Sequence, residues 1–239
     1  MTALQKLTFE HAGKLLIGEV ARPAGEGPFP AVLVMASALG LGEQTRESAR
    51  VLAARGYLAV ATDMYGGGAY FADPTQAGDD FMALMTSPEL QRARVVAWFE
   101  TVAALPDVDA TRIAAIGYCF GGGCVLEMAR SGVDVKAVVS YHGLLTTQNP
   151  AAPGAIKGEV VAYCGGQDPF APEDTIEALH RELTAAGASH HITVFADVKH
   201  GFTDVDAQKH GHPGIAYDAI ADKVSWAGTL ALLEIVLKG

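Results

Sequence analysis

Positive charge is scarce in this chain of 239 residues: 17 Lys and Arg stand against 27 Asp and Glu, a formal net charge of -10. Phosphate binding needs clustered cations, and the few present are dispersed, so nucleic acid is not an expected partner. Cysteine is scarce as well. Three of them, Cys119, Cys124 and Cys164, cannot all pair within one chain, and their spacing fits no C-x-x-C metal or redox pattern, which leaves reduced thiols. No apolar run is long enough to span a bilayer, and the segment from Met1 to Leu7 lacks the apolar stretch of a secretory signal. A soluble cytoplasmic protein is the expectation. Repeats, linkers and low-complexity tracts are also missing, and half of the residues are hydrophobic, which suits a single domain over residues 1–239.

What is present is alternation. Two strand patterns, Gln5 to Glu10 and Lys14 to Val20, flank a turn at His11-Ala12-Gly13, and a Pro- and Gly-rich loop follows from Arg22 to Pro30. Strands are then expected at Ala31 to Ala36, Tyr57 to Met64, Thr111 to Tyr118, Lys136 to Tyr141, Glu159 to Gly165 and His190 to Phe195. Helices are expected at Glu43 to Arg55, Pro88 to Leu105, Phe120 to Arg130, Pro172 to Ala186 and Ile215 to Leu237. Apolar strands alternating with helices predict an α/β fold, a mostly parallel twisted sheet covered on both faces. Its site should lie beyond the carboxyl ends of the strands.

Gly117-Tyr118-Cys119-Phe120-Gly121-Gly122 joins an apolar strand to a helix and reads as a nucleophile elbow carrying Cys. The turn at such an elbow strains its central residue, and the following helix N-terminus favours thiolate over thiol. Asp168 follows the strand at Val160, and His200 follows the strand at His191. Cys119, Asp168, His200 is therefore a nucleophile, acid, histidine order with each member after a strand. His200 would share a proton with Cys119, and Asp168 would hold the imidazole. Backbone N–H groups of Phe120 and Ala38 are the expected oxyanion donors. Cys124 and Cys164 read as core residues.

At these residues the sequence resembles the dienelactone hydrolase family, cysteine-nucleophile members of the α/β-hydrolase fold. The resemblance runs from the strand at Ala31 to the last helix. It rests on Gly117 to Gly122, on Gly165-Gly166-Gln167-Asp168-Pro169 and on His200-Gly201-Phe202. It implies hydrolysis of esters or lactones through an acyl-cysteine intermediate, with no metal and no organic cofactor. Two departures stand out. Members usually carry His-Glu where this chain has Ser37 after Met35-Ala36, and that Glu bonds the resting thiol. Dienelactone-cleaving members also use arginines for the substrate carboxylate, one in the flap region and one past the histidine; residues 65–87 contain none, and Phe202, Thr203 and Asp204 follow His200. A carboxylate needs a cationic partner, so neutral small-molecule esters or lactones are the expected substrates. The resemblance extends to dienelactone hydrolase-like enzymes that cleave phosphotriesters promiscuously, which adds a neutral phosphotriester as a side substrate.

The expected substrate pocket comprises Ser37, Tyr65, Tyr70, Phe71, Met82 and Phe202. The segment 65–87 mixes glycines with aromatics and reads equally as an entrance flap or as a surface loop filling the core edge. His142 reads as a site-rim residue or as core packing. Two other readings stay open: a non-catalytic ligand-binding or sensor protein on the same fold, and a metal-dependent hydrolase using Asp204, Asp206, His210 and His212. A homodimer is the default assembly.

Overall fold

The computed structural model describes residues 2–71 and 74–239, without the side chains of Pro74, Thr75 and Ala77. Eight strands, β1 (Leu4–His11), β2 (Lys14–Ala21), β3 (Phe29–Met35), β4 (Leu58–Thr62), β5 (Val108–Tyr118), β6 (Ala137–Tyr141), β7 (Glu159–Gly165) and β8 (His190–Phe195), form one sheet. Their order is β1-β2-β4-β3-β5-β6-β7-β8; β1 and β2 pair antiparallel, as do β2 and β4, and every pair from β4 to β8 is parallel. The helices are α1 (Glu43–Ala53), α2 (Pro74–Met85), α3 (Pro88–Ala103), α4 (Phe120–Arg130), α5 (Glu173–Ala185) and α6 (Ala219–Lys238).

The central strands are apolar on both faces because helices cover both. In β3, Ala31, Leu33 and Met35 join one core with Trp98 of α3 and Val125 of α4, while Val32 and Val34 join the other with Leu52 of α1 and Leu233 of α6. Each such Leu or Val removed from water contributes about 1.5–3 kcal/mol before chain entropy is set against it.

Several elements differ from the sequence expectation: β5 begins at Val108 rather than Thr111, and β4 is shorter at both ends, Leu58–Thr62. Helix α6 starts at Ala219 rather than near Ile215, because Asp218 caps it, its Oδ1 accepting from the Ile220 and Ala221 N–H groups. A short 3-10 turn, Ala207–His210, precedes it. The segment 65–87 contains α2, broken at Gly78, where φ is 11° and ψ is -97°. Residues 72–73 of that segment lie outside the described residues.

The start of the segment is firmly held. The buried Asp63 carboxylate accepts from the backbone N–H groups of Tyr65, Gly66 and Gly68, and also from Ile17. Beyond it, Leu41 N–H donates to Ala69 and Phe71 N–H to Leu39, so residues 69–71 run beside the loop that follows β3. Among the described residues, no helix is long and apolar enough to cross a membrane.

Candidate active site

Cys119 stands between β5 and α4 with φ 53° and ψ -115°, a left-handed conformation strained for a residue with a Cβ. The flanking glycines make this approach possible. A Cβ on Gly117 would fall 2.0 Å from the Gly121 carbonyl oxygen, and one on Gly121 would fall 2.3 Å from that of Met35. Cys119 N–H donates to the Tyr141 carbonyl at 3.0 Å, which ties the elbow to β6.

His200 Nδ1–H donates to Asp168 Oδ2 at 2.7 Å, and both side chains are buried. The other carboxylate oxygen accepts from Phe170 N–H at 2.8 Å. The imidazole is hydrogen-bonded to Cys119, and main-chain N–H groups of Phe120 and Ala38 also reach the sulfur. Burial pushes the Cys119 thiol up, but the His200 charge and these hydrogen bonds outweigh it, and the net direction is down. Burial pushes His200 down; the Cys119 and Asp168 charges and hydrogen bonds reverse that and raise it to about 10. Both directions favour thiolate beside imidazolium over thiol beside neutral imidazole. Cys124 and Cys164 go the other way, each raised to about 12 chiefly by burial.

The loop after β3 carries Ser37 and Ala38 to the sulfur. Ser37 Oγ accepts from Leu39 N–H at 3.3 Å, and the buried Tyr65 hydroxyl donates to the Ala38 carbonyl at 3.1 Å. Tyr65 also stacks on Phe120, with centroids 6.0 Å apart, and meets Phe71 edge-on. A cavity of about 90 Å³ lies over Cys119 and His200, walled by Ser37, Ala38, Leu39, Gln44, His142 and Ile215 among others. It shares Ser37, Leu39, Gln44, Asp204 and His210 with an adjoining groove of about 530 Å³ that Tyr70, 54% exposed, also lines. A wider concavity, about 830 Å³ between α5 and β8, touches neither Cys119 nor His200.

Of the expected pocket residues only Ser37 and Tyr70 line these two cavities among the described residues; Tyr65 and Phe71 pack behind the loop after β3, and two others sit elsewhere. Phe202 is fully buried behind the site, edge-on to His142 and Phe195, because the turn after His200 directs it into the core. Met82 lies on α2, 52% exposed, and lines neither the cavity nor the groove. The Asp204 to His212 loop satisfies its own groups: Asp204 pairs with His210 at 3.0 Å, and Asp206 with Lys209 at 2.8 Å. Among the described residues, no three His, Cys, Asp or Glu side chains converge as metal ligands would.

Sequence reasoning left His142 open and missed Gln44, Thr203 and Phe170. His142 is buried against His200, centroids 5.0 Å apart, and Phe170 meets the same imidazole at 4.9 Å. Gln44 Nε2 donates to both the Thr203 carbonyl and its Oγ1, and the same hydroxyl is hydrogen-bonded to His142 Nε2 at 2.8 Å. The buried His142 Nδ1 finds no hydrogen-bond partner among the described residues. Burial, then the His200 charge, push His142 well below the usual histidine range.

Parallel strands, helices on both faces and a Cys elbow at their carboxyl edge define an α/β-hydrolase fold. A dienelactone hydrolase-like promiscuous phosphotriesterase from metagenomic libraries superposes with a TM-score of 0.92, at 32% identity over 98% of both chains. Dienelactone hydrolase from Anabaena variabilis, at 19% identity over 94% of this chain and 96% of its own, shares the fold with a TM-score of 0.64. An Escherichia coli (strain K12) protein named for carboxymethylenebutenolidase is 29% identical over 86% of this chain and 79% of its own. Residues 16–237 match the profile of the dienelactone hydrolase family, and the chain belongs to that family. It is a hydrolase of that family.

Proposed function

We propose that the protein hydrolyses neutral carboxylic esters or lactones through an acyl-cysteine intermediate, with Cys119, His200 and Asp168 as its triad and no metal. The observation that carries this reading is the meeting of a depressed Cys119 thiol, an elevated His200 and two main-chain N–H donors at one sulfur. The thiolate attacks the carbonyl carbon, and the developing oxyanion is received by the N–H groups of Phe120 and Ala38. His200 Nε2–H protonates the leaving oxygen, so the C–O bond breaks and the acyl group stays on sulfur. The neutral imidazole then takes a proton from water, hydroxide attacks the thioester, and acid and thiolate are released beside imidazolium.

Substrate preference is argued from what surrounds the site. Among the described residues the two cavities are walled by Glu43, Glu47, Asp204, Asp206 and Asp222 and by no Arg or Lys, so an anionic lactone finds no cationic partner there. With Ser37 at the usual Glu position, His200 is the side chain that faces the Cys119 sulfur among the described residues, and no neighbouring carboxylate opposes the thiolate there. A neutral aryl phosphotriester meets the same requirements, since charge grows on its phosphoryl oxygen as on an ester carbonyl; the structural relative of that description supports it as a side activity. In this reading residues 1–239 act as one domain, with the segment 65–87 as a wall anchored by Tyr65.

The test is kcat/KM on a neutral p-nitrophenyl ester, an anionic dienelactone and a neutral aryl phosphotriester. Turnover of both neutral substrates that vanishes in Cys119→Ala is expected. A preference for the lactone, or ester turnover that survives the substitution, would refute the reading.

A further inference from the structure

Helix α6 is apolar on the wrong side as well as the right one. Its inner face, Ala221, Ser225, Thr229, Leu233 and Leu237, packs on the sheet. Opposite them Ile220 is 75% exposed, Val224 53% and Ile235 71%, and the intervening Ala227 and Ala231 are exposed as well. Steps of four, three, four and four residues keep these five on one straight stripe, about 22 Å long at 1.5 Å per residue. A helix with two apolar faces is one whose second face is covered by something.

The order of residues along the stripe says what covers it. Ile220 and Ile235 lie at equal distances on either side of the 227–228 peptide, as do Val224 and Ala231, while small Ala227 occupies the middle; the neighbouring Gly228 makes room inward for the Tyr163 hydroxyl. A two-fold axis through that point lays one helix antiparallel on its twin, Ile220 over Ile235 and Val224 over Ala231, and the small centre lets the backbones approach. Charge agrees with this arrangement. Lys223 on one side of the axis and Glu234 on the other are both exposed, and antiparallel packing brings each Lys223 within two residues, about 3 Å along the axis, of the facing Glu234. Glu234 uses only Oε2 toward Lys238 and Tyr57, leaving Oε1 without a hydrogen bond among the described residues. Parallel packing would leave each Lys223 about 16 Å along the axis from the facing Glu234.

We propose that the outer face of α6 is a homodimer interface, two copies packing antiparallel about the 227–228 peptide. It stands independently of the chemistry assigned to Cys119. The face is narrow for a stable dimer, so association is expected with Kd of about 1–50 µM.

Sedimentation velocity on the full chain over that range should give a concentration-dependent dimer. Ala227→Arg and Ile235→Asp should each give monomers with unchanged circular dichroism and Tm, because neither position faces the core. Lys223→Glu and Glu234→Lys, each alone, should weaken the dimer at least tenfold, and an equimolar mixture of the two should restore it, since each chain then meets opposite charge. A wild type that stays monomeric throughout overturns the proposal. So does a dimer indifferent to the stripe substitutions, and single charge variants that pair like the wild type overturn the antiparallel arrangement.

Discussion

Helix α4 ends in buried charge at both termini, and the two ends behave differently. At its N-terminus stands Cys119, hydrogen-bonded to His200, which is bonded to Asp168. At its C-terminus Glu127 lies between Arg92, at 2.6 Å, and Arg130, at 3.0 Å, and Arg130 reaches on to Glu182 at 2.7 Å. Both clusters follow the helix dipole, anion at the positive end and Arg130 at the negative end. The difference is in what a proton can do. Thiol and imidazole ordinarily titrate within a few pH units of each other, so modest surroundings move the proton between them. Guanidinium and carboxylate are too far apart for exchange, and such a cluster can only hold shape. Arg130 and Arg92 do so by donating also to the carbonyls of Leu145 and Asn149, which fixes the loop leading away from β6.

Exchanging the roles of the two ends is the strongest way to test that difference. Cys119→Ala should lower kcat/KM for a neutral aryl ester by at least about 10³-fold, and Asp168→Asn by about 10²–10⁴-fold, with Tm little changed for the first. At the other end Glu127→Ala strands Arg130 in a buried site and should cost about 3 kcal/mol in chemical denaturation. Turnover by the fraction still folded should stay near wild type. A Glu127→Ala enzyme that is stable but slow would show that the far end of the helix reaches the chemistry.

Acidity separates the ends again. Burial pushes the Glu182 carboxyl up, but Arg130 and the Ala151 N–H more than reverse this, so its folded pKa lies below its unfolded one. The stability it contributes is present above the unfolded value of 4.5 and is lost as pH falls through the folded one. At the N-terminal end, kcat/KM should fall as pH rises through about 10, where His200 loses the proton it gives to the leaving group. Iodoacetamide at neutral pH should label Cys119 alone of the three cysteines, since burial holds the other two near 12. A labelling rate with no inflection below pH 8 would count against a resting thiolate.

The N-terminal end was legible because its signals are local. A strand, then Gly-x-Cys-x-Gly, then a helix is a short pattern, and the glycines are there because backbone carbonyls stand where a Cβ would go. Asp168 and His200 each follow an apolar strand, and parallel strands bring their carboxyl ends together whatever the loops do. What could not be read was set by tertiary contacts. Met82 and Phe202 are apolar residues near the right segments, but whether a side chain faces a cavity or the core depends on the turn that carries it. Helix α2 was hidden by the glycines around it, and the start of α6 by an Asp cap easily taken for loop composition. Glu127, Arg130 and Glu182 read as ordinary charges on helices; their pairing depends on α5 packing beside α4.

The smallest expected effect concerns the wall that no pattern announced. Thr203 Oγ1 accepts from Gln44 and is hydrogen-bonded to His142 Nε2, and His142 backs the His200 imidazole from one side as Phe170 does from the other. Thr203→Val keeps the shape but leaves His142 Nε2 buried without a partner, at a cost of about 1–3 kcal/mol. The ring can escape that cost by turning or by moving its proton between its nitrogens, and either change alters the surface against which His200 stands. The expected outcome is a fall of about 3–10-fold in kcat with KM nearly constant, since the contact steadies a proton donor and not a substrate. Thr203→Ser, which restores the hydroxyl, should recover most of it. Equal losses in Thr203→Val and Thr203→Ser would mean that the methyl group matters and the hydrogen bond does not, leaving His142 as packing alone.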